Sequence, residues 1–243
     1  LTYFFSLGNF KQDGLIRGSG FNRYSTKLSI DGNISEKLRF GTDFTFSQSE
    51  YEGAFGNSSI NSYSGGYIDA YSPPPTFPVK DENGDYISEN PFSTFPFPNP
   101  VENALEIVRD QTNLNFLGNV FLEYDLTNSL KIKQIVGVNY TSNNVRQYLP
   151  SFSQRSQFKG EARQAHSLNR NILSTTTLSF DKKVDKHRFN GVLGYEIQTR
   201  ENQNFNGTSR DFANDETGYY SLESGKELFS LNSAYIDQGL QSY

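Results

Sequence analysis

The ten residues KLRFGTDFTF at positions 37–46 alternate between polar and apolar side chains almost without exception. In an extended chain, Leu38 and Phe40 lie on one face, whereas Lys37 and Arg39 lie on the other. A period of two is typical of a β-strand that has one face in water and one face against apolar material. The chain must therefore build a β-sheet, and either a protein core or lipid must cover the apolar face of that sheet.

Seven segments of the chain carry this alternation. Most are 10 to 15 residues long, whereas strands of globular proteins have a mode of about 5–6 residues and a tilted strand needs about 9–11 residues to cross a bilayer. The fourth segment is the least regular, because Leu117 and Phe121 fall on its polar face. The segments are Thr2–Phe10, Asn22–Gly32, Lys37–Gln48, Thr112–Leu126, Leu130–Thr141, Asn171–Lys182 and His187–Thr199.

Short and long connections alternate strictly between these segments. In an antiparallel meander, alternate connections lie at the same end of the sheet, so all the short turns lie at one end and all the long loops at the other. This sorting is typical of outer-membrane β-barrels and not of β-sandwiches with Greek-key connections. The short turns are Asn33–Glu36, Thr127–Ser129 and Lys183–Lys186, and the long connections are Lys11–Phe21, Ser49–Gln111, Ser142–Arg170 and everything after Arg200.

The composition is compatible with a barrel, although the mean hydropathy is only −0.64 and the hydrophobic fraction is 35%. A barrel strand needs an apolar side chain only at every second position, and the 21 Phe and 15 Tyr residues favour strands. A one-residue slip would exchange the two faces and move Lys or Arg into lipid, at a cost of about 2–4 kcal/mol each at the midplane. The alternation therefore fixes the register as well as the fold class.

The chain is expected to be an interior segment of a longer polypeptide. It contains no methionine, and its opening residues LTYFFSLGNF are typical of a strand and not of a signal peptide. Seven strands with two free edges would also leave unpaired backbone groups in a bilayer. We therefore expect residues 1–243 to be one segment, of about seven to eight strands, of a larger all-β antiparallel transmembrane β-barrel with long extracellular loops.

A series of short motifs runs in order along the whole chain. The motifs are YFFSLGNF at 3–10, QDGLI at 12–16, FNRYS at 21–25, KLRFG at 37–41, Asn99-Pro100 and KHRFNGVLGYE at 186–196. In this order they resemble the barrel of the SusC/RagA-family TonB-dependent transporters, the outer-membrane nutrient importers of Bacteroidetes. The closing residues LQSY at 240–243 resemble the start of a further strand, while Asn9 and Lys27-Leu-Ser29 depart from the family pattern.

The resemblance implies TonB-dependent import of large nutrients, either oligosaccharides or peptides, by a multi-pass β-barrel in the outer membrane. It also implies that a SusD-like surface lipoprotein caps the long loops as a lid, and that the TonB system acts through a plug domain. The plug, the TonB-contacting residues and the remaining strands are expected outside these 243 residues, so no residue is assigned to those roles.

Two alternatives stay open at the level of sequence. One is a non-transporting outer-membrane barrel for adhesion or secretion, which a plug-like sequence upstream would exclude. The other is a soluble β-sandwich module that binds glycans, which would refold as a monomer without detergent.

Enzymatic chemistry has little support in the sequence. There is no cysteine, only His166 and His187 are histidines, and no Ser elbow, HExxH, P-loop or GxGxxG motif occurs. The stretch Asp81–Asp85 has calcium-like Asp/Asn alternation, but Gly84 comes too early and no Glu follows at the twelfth position, which favours a polar turn. We therefore expect no catalytic residue, metal or cofactor, and the net charge of −5 argues against nucleic acid as a partner.

The long loop Ser49–Gln111 has the strongest interaction pattern. It contains ten acidic residues against two basic ones, and also ten Phe or Tyr residues. This aromatic content argues against plain disorder. Phe92, Phe95 and Phe97 are candidates either to pack the loop over the barrel mouth or to contact a sugar or a partner. Within this loop, Pro100–Asp110 has the apolar spacing of one short helix.

The loop Ser142–Arg170 has the opposite charge, with five Lys or Arg residues against Glu161 alone. We predict that Tyr148 and Arg155 in this loop contact the substrate or a partner. The two loops could also pair electrostatically, or their charges could simply be solvated and contribute little.

Cations on the polar face gather at the end of the sheet that carries the short turns. If this face is the barrel lumen, they would meet a plug domain, and charge reversal at Arg39 and Lys133 would weaken the seating of the plug. The predicted plug-facing residues are Lys37, Arg39, Lys131 and Lys133, and Arg188 belongs to the same ring of cations.

Overall fold

The computed structural model describes residues 1–53, 76–87, 99–153 and 158–243. Within these ranges, eight strands pair in chain order to form one antiparallel sheet. Strands β1 and β8 are the two edges of this sheet, which confirms the predicted partial, antiparallel all-β architecture. The strands are β1 (Thr2–Asp13), β2 (Gly20–Asn33), β3 (Leu38–Glu52), β4 (Val108–Thr127), β5 (Leu130–Leu149), β6 (Glu161–Val184), β7 (His187–Phe212) and β8 (Gly225–Ser242).

The strand registers bring apolar residues side by side on one face of the sheet, here called the apolar face. On this face, Val120 of β4 lies opposite Thr42 of β3 and Val136 of β5. The opposite side, here called the polar face, carries Asn119 paired with Asp43. Val120 and Val136 are each 43% exposed. Among the described residues no second sheet covers the apolar face, so the β-sandwich alternative is wrong for this part of the chain.

The apolar face forms a band of limited height. Phe46, Phe116 and Tyr140 pair across three strands as its last row, and two rows further along β3 the same face carries Glu50. Along β4 the band extends from Phe116 to Leu126, which is about 34 Å of strand at about 3.4 Å per residue. At a tilt of about 40° this length spans about 26 Å, which matches the apolar band of about 25 Å in outer-membrane barrels.

The strands continue well beyond this band at the end that carries the longer connections. Strands β4 to β7 contain 20, 20, 24 and 26 residues, whereas a tilted bilayer crossing needs about 9–11. The predicted long connections were therefore too long, and they shorten to residues 14–19, 53–107, 150–160 and 213–224. They still alternate with the short turns 34–37, 128–129 and 185–186, so the predicted sorting of connections is confirmed.

Strand β8 was missed by the periodicity because it pairs with the polar extension of β7. Its residues Gly225–Ser242 lie opposite Glu196–Phe212. In this region most of the sheet lies above the apolar band, and both faces meet water. The prediction that residues 240–243 begin a strand was also wrong, since Ser242 is the last residue of β8.

Two glycines explain why bulky aromatic residues sit on both faces of the β3–β4 pair. On the polar face Phe121 lies opposite Gly41, and a Cβ on Gly41 would come within 2.2 Å of the Phe121 ring. On the apolar face Phe44 lies opposite Gly118, whose added Cβ would come within 2.6 Å of the Phe44 ring. Each ring covers backbone that the glycine leaves bare, a recognised way to stabilise glycine in a sheet. Phe121, which appeared to break the alternation of β4, is therefore explained by its pairing with Gly41.

A short helix, α1 (Pro100–Leu105), precedes β4. It confirms the start of the predicted helix, but the predicted end at Asp110 was wrong, because β4 begins at Val108. The Asn99 side chain caps its first turn, accepting from the backbone N–H of Val101 at 3.1 Å, and its Nδ2 donates to the carbonyls of Val79 and Ile87. Among the described residues, no helix has both the length and the apolar character needed to cross a bilayer.

The stretch Asp81–Asp85 forms a polar turn, as expected. One oxygen of the Asp81 carboxylate accepts from the backbone N–H groups of Asn83 and Asp85, each at 2.9 Å. These bonds, above all the one from Asp85, lower the pKa of Asp81. The carboxylate is thus engaged by its own turn.

Val120→Arg should destabilise the protein much more than Asn119→Arg. Val120 lies near mid-height of the apolar band, where a guanidinium facing lipid costs about 2–4 kcal/mol. Its neighbour Asn119 points to the polar face and should accept arginine at little cost. Denaturant unfolding of the whole protein, refolded in lipid vesicles, measures both free energies. Equal losses would contradict the assignment of the two faces.

Candidate functional site

The polar face of β4 to β7 is rich in asparagine. Four consecutive rows of paired residues cross these strands, and nine of their sixteen positions are Asn while none is acidic. We call this surface the asparagine face. Its rows are Asn113, Asn143, Ser167 and Asn204; Asn115, Thr141, Asn169 and Asn202; Leu117, Asn139, Asn171 and Arg200; and Asn119, Gly137, Leu173 and Gln198.

Some of these side chains bond to one another across strands. Asn143 donates from Nδ2 to Oδ1 of Asn113 at 2.7 Å, and Gln198 donates from Nε2 to Oδ1 of Asn171 at 3.0 Å. A side-chain amide has two N–H donors and an oxygen that accepts twice. One such bond therefore leaves further donors and acceptors that can bind water or a ligand.

Two shallow cavities open on or beside the asparagine face. The cavity on the β8 side has a volume of about 280 Å³, and the cavity around Arg200 has a volume of about 360 Å³. The polar residues that line the first include Asn143, Ser167, Asn204, Asn206 and Asn232, and the second is lined by Asn139, Thr141, Asn169, Arg170, Asn171 and Arg200. The second cavity therefore combines side-chain amides with arginine, whereas the first also contains the apolar residues Ala165, Phe205 and Ala234.

The sequence contains a pattern that indicates this surface, but it is a pattern of polar residues and not of hydrophobic ones. Asn113, Asn115 and Asn119 share one parity along β4, and Asn169 and Asn171 do so along β6. A search for polar residues with a period of two would have found these strings. Their assembly into one surface, however, requires the strand registers.

At the far end of the sheet, segment 213–224 packs against the extended strands. Tyr148, Ala162, Phe212 and Tyr219 form a buried cluster, against which Leu222 packs. The rings of Tyr148 and Phe212 meet edge to face with their centroids 5.7 Å apart. This cluster fixes the segment to β5, β6 and β7 above the apolar band.

Asp215 ties the same segment to the β5–β6 connection. Its carboxylate accepts from the Tyr148 hydroxyl at 2.6 Å, from the Ser151 N–H at 2.7 Å and from the Ser151 hydroxyl at 2.7 Å. Burial alone would raise the pKa of Asp215, but these three donors outweigh burial and lower it. Burial, together with the bond to Asp215, raises the pKa of Tyr148.

Of the residues predicted to contact a ligand, the structure describes Tyr148 and not the other four. Tyr148 is only 4% exposed, and its hydroxyl is engaged by Asp215. Its role in this structure is therefore to hold segment 213–224, which corrects the prediction of a ligand contact. Phe92, Phe95, Phe97 and Arg155 lie outside the described residues.

The cations predicted to face a plug are joined to neighbours on their own face. Arg39 lies 3.4 Å from Glu123 and 3.7 Å from Asp31, and Lys131 lies 2.8 Å from Glu123. They therefore form a mixed network of charges and not a ring of free cations. The other two predicted residues differ, because the Lys133 ammonium lies 4.5 Å from the centre of the Phe121 ring and Lys37 lies in the β2–β3 turn.

Metal-binding residues are not gathered in the part of the chain that the structure describes, where no group of three or more His, Asp or Glu could hold an ion. Nδ1 of His166 lies 2.7 Å from Oδ1 of Asn144 on the neighbouring strand. His187 begins β7 after the β6–β7 turn. Neither position suggests a ligand set.

Comparison with known proteins gives a consistent result. No family model matches the chain. TonB-dependent receptor P26 of Formosa agariphila is 23% identical over 226 residues, which cover 91% of this chain. TonB-dependent receptor P3 of the same organism is 23% identical over 239 residues, which cover 97% of this chain. The chain spans only 22% and 24% of the lengths of these two relatives.

Solved structures share the fold over almost the whole chain. The RagAB peptide transporter aligns with a TM-score of 0.80 and 20% identity over 98% of this chain and 27% of that chain. The RagAB peptide importer in its closed-closed state aligns with a TM-score of 0.78 and 21% identity over the same shares. The predicted resemblance to the barrel of SusC/RagA-like TonB-dependent transporters is confirmed.

Asp215→Asn should loosen segment 213–224 and remove a pH dependence. Asp215 is half-buried, so weakening the hydrogen bonds to its carboxylate should cost an amount at the lower end of about 1–3 kcal/mol, and amide exchange in the segment should become about tenfold faster. Because the pKa of Asp215 is lowered in the folded protein, its contribution is complete above the ordinary Asp pKa of about 3.9 and is lost as the pH falls through the lower, folded value. The variant should lack this loss.

Hydrogen exchange of the whole protein in detergent, corrected for intrinsic rates, measures both effects. Asp211→Asn is the matched control, because Asp211 makes only a long contact of 3.8 Å with the exposed Lys226. Similar exchange in wild type and Asp215→Asn at pH 6 would show that the Asp215 bonds do not hold the segment.

Proposed function

We propose that this chain, a SusC/RagA-like segment of the barrel of a TonB-dependent transporter, forms part of the wall of an outer-membrane importer of large nutrients. The observation that carries this proposal is a single sheet with an apolar band on one face and the asparagine face on the other. In a closed barrel the first face meets lipid and the second lines a water-filled interior. The nutrients would be oligosaccharides or peptides, and the chain would perform no covalent chemistry on them.

A SusD-like surface lipoprotein is the proposed partner at the end that carries the longer connections. Exposed aromatic residues at this end support the proposal, since Phe152 is 57% and Tyr220 is 76% exposed. Phe92, Phe95, Phe97 and Arg155 remain the predicted contacts with the lipoprotein or the substrate. Co-purification of the lipoprotein with a variant that has all three Phe residues changed to Ala tests this, and undiminished recovery would count against these contacts.

The polar face near the short turns is the proposed contact surface for a plug domain. Lys133 is the most informative residue there, because its ammonium lies over the Phe121 ring and forms no ion pair within 4 Å among the described residues, although Glu123 lies opposite it on β4. Lys133→Glu in the whole protein should make the plug more accessible to protease. Lys182→Glu is a control at the same end, because Lys182 lies on the other face of the sheet, opposite Phe189. Equal protease resistance of both variants would contradict the plug contact.

Uptake by cells that produce the whole protein should depend on TonB. A mixture of fluorescently labelled oligosaccharides and peptides should enter cells that have TonB, and uptake should fall to the level of cells without this protein when TonB is deleted. The physical reason is that a plugged barrel needs energy from the inner membrane to open. Uptake that is the same with and without TonB would instead favour a barrel for adhesion or secretion.

A further inference from the structure

We infer that Arg200, on the asparagine face, binds a carboxylate of the imported ligand, while the surrounding amides bind neutral polar groups of the same ligand. This inference rests on the proposed function, because it assigns a substrate contact to the wall of the importer. It concerns the cavity of about 360 Å³ that Arg200 lines together with Asn139, Asn169 and Asn171.

Arg200 differs from the other strand arginines that the structure describes. Its side chain is exposed and makes no ion pair, hydrogen bond or ring contact with any residue that the structure describes. The others are engaged: Arg39, Arg170, Arg188 and Arg210 by carboxylates, Arg109 and Arg163 by asparagine side chains, and Arg23 and Arg146 by aromatic rings. A guanidinium presents N–H groups in a planar arrangement that matches both oxygens of a carboxylate. Arg200 therefore has its full set of donors available.

The surroundings of Arg200 do not oppose an anion. None of the sixteen positions in the four rows of the asparagine face is acidic. The nearest acid on this face of β7 is Glu196, four residues and about 13 Å of strand away, and it accepts a hydrogen bond from Thr175 at 3.0 Å. Arg170, which also lines the cavity, is already paired with Glu201. A ligand carboxylate at Arg200 would therefore meet one unpaired positive charge and no adjacent negative charge on this face of the described strands.

The neighbours of Arg200 can bind what is attached to the carboxylate. Asn171 lies directly opposite Arg200 on β6, and Gln198 and Asn202 flank it along β7 on the same face. Side-chain amides both donate and accept, which suits peptide groups as well as sugar hydroxyls. The shared chemistry is thus a carboxylate next to neutral hydrogen-bonding groups, and its source is either the carboxyl end of a peptide or an acidic sugar.

Binding measurements on the whole protein in detergent test this inference with four probes. The probes are tetra-alanine, its carboxyl-terminal amide, trigalacturonate and its methyl ester. Arg200→Gln should raise the Kd of at least one free acid about tenfold, since a hydrogen bond to a charged group is worth about that much, and should leave the neutral probes unchanged. Arg200→Lys should recover part of the loss.

Arg163→Gln is the matched control, because it removes the same charge from the same face of the sheet. Arg163 donates from Nε to Asn206 at 2.9 Å and lies outside the Arg200 cavity, so the Kd of each probe should stay within about twofold of the wild-type value. A loss confined to tetra-alanine identifies a peptide carboxylate, a loss confined to trigalacturonate identifies an acidic sugar, and a loss of both identifies the carboxylate alone. Unchanged affinity for both acids in Arg200→Gln, or no binding of any probe to wild type, overturns the inference.

The uptake assay separates this inference from the proposed function. If Arg200→Gln binds the acids more weakly but uptake does not depend on TonB, the carboxylate site is supported and the importer function is contradicted. If uptake depends on TonB but Arg200→Gln binds the acids as wild type does, the importer function is supported and the carboxylate site is contradicted.

Discussion

Backbone hydrogen bonding in a medium without water is the constraint on which the rest of this structure depends. An unpaired N–H or C=O in hydrocarbon costs several kcal/mol, so a strand in lipid must be paired on both edges. Strands β2 to β6 meet this requirement within the chain, whereas residues 187–195 of β7 have no partner on the β8 side among the described residues, since the β7–β8 pairing begins at Glu196. The two register shifts between strands occur near strand ends, at Asp125/Thr127 and at Thr208/Ser209. Strands β1 and β8 each have one edge that is still unpaired. The requirement that fixes the middle of the sheet therefore also calls for flanking strands at both edges.

Above the apolar band the same strands are subject to a weaker constraint. Water can satisfy their backbone groups there, and the net gain from each protein hydrogen bond is only about 0.5–1.5 kcal/mol. Side-chain packing must then stabilise the part of the strands that lies above the band. This packing comes from Tyr148, Phe212 and Tyr219, which fix segment 213–224 against β5 to β7. Asp215 adds a hydrogen bond from the Tyr148 hydroxyl. One sheet is thus stabilised by lipid and pairing at one height and by a small buried cluster at another.

The sequence predicted the parts of the fold that lipid shapes and missed the parts that water surrounds. Seven strands, their two faces and the order of short and long connections followed from the alternation around residues such as Phe44 and Val136. Beyond Tyr140 both faces are polar, so the period of two disappears although the strand continues to Leu149. Phe121 looked irregular because its partner Gly41 lies eighty positions earlier in the chain. The asparagine face could not be assembled without the registers for a similar reason, since it joins four strands.

The chemistry of the asparagine face suits passage better than tight retention. A wall of Lys, Arg, Asp and Glu would form ion pairs like those of Arg39 and Lys131 with Glu123, and such partners would compete with a moving ligand. Neutral amides exchange bonds with water at small net cost, because each hydrogen bond contributes only about 1 kcal/mol. If Arg200 binds a carboxylate as inferred, its guanidinium would orient the ligand by attracting one end of a polar chain while the amides bind the remainder weakly. In the proposed importer, the same low charge that hid this surface from hydrophobic and electrostatic patterns would let a large polar nutrient move along it.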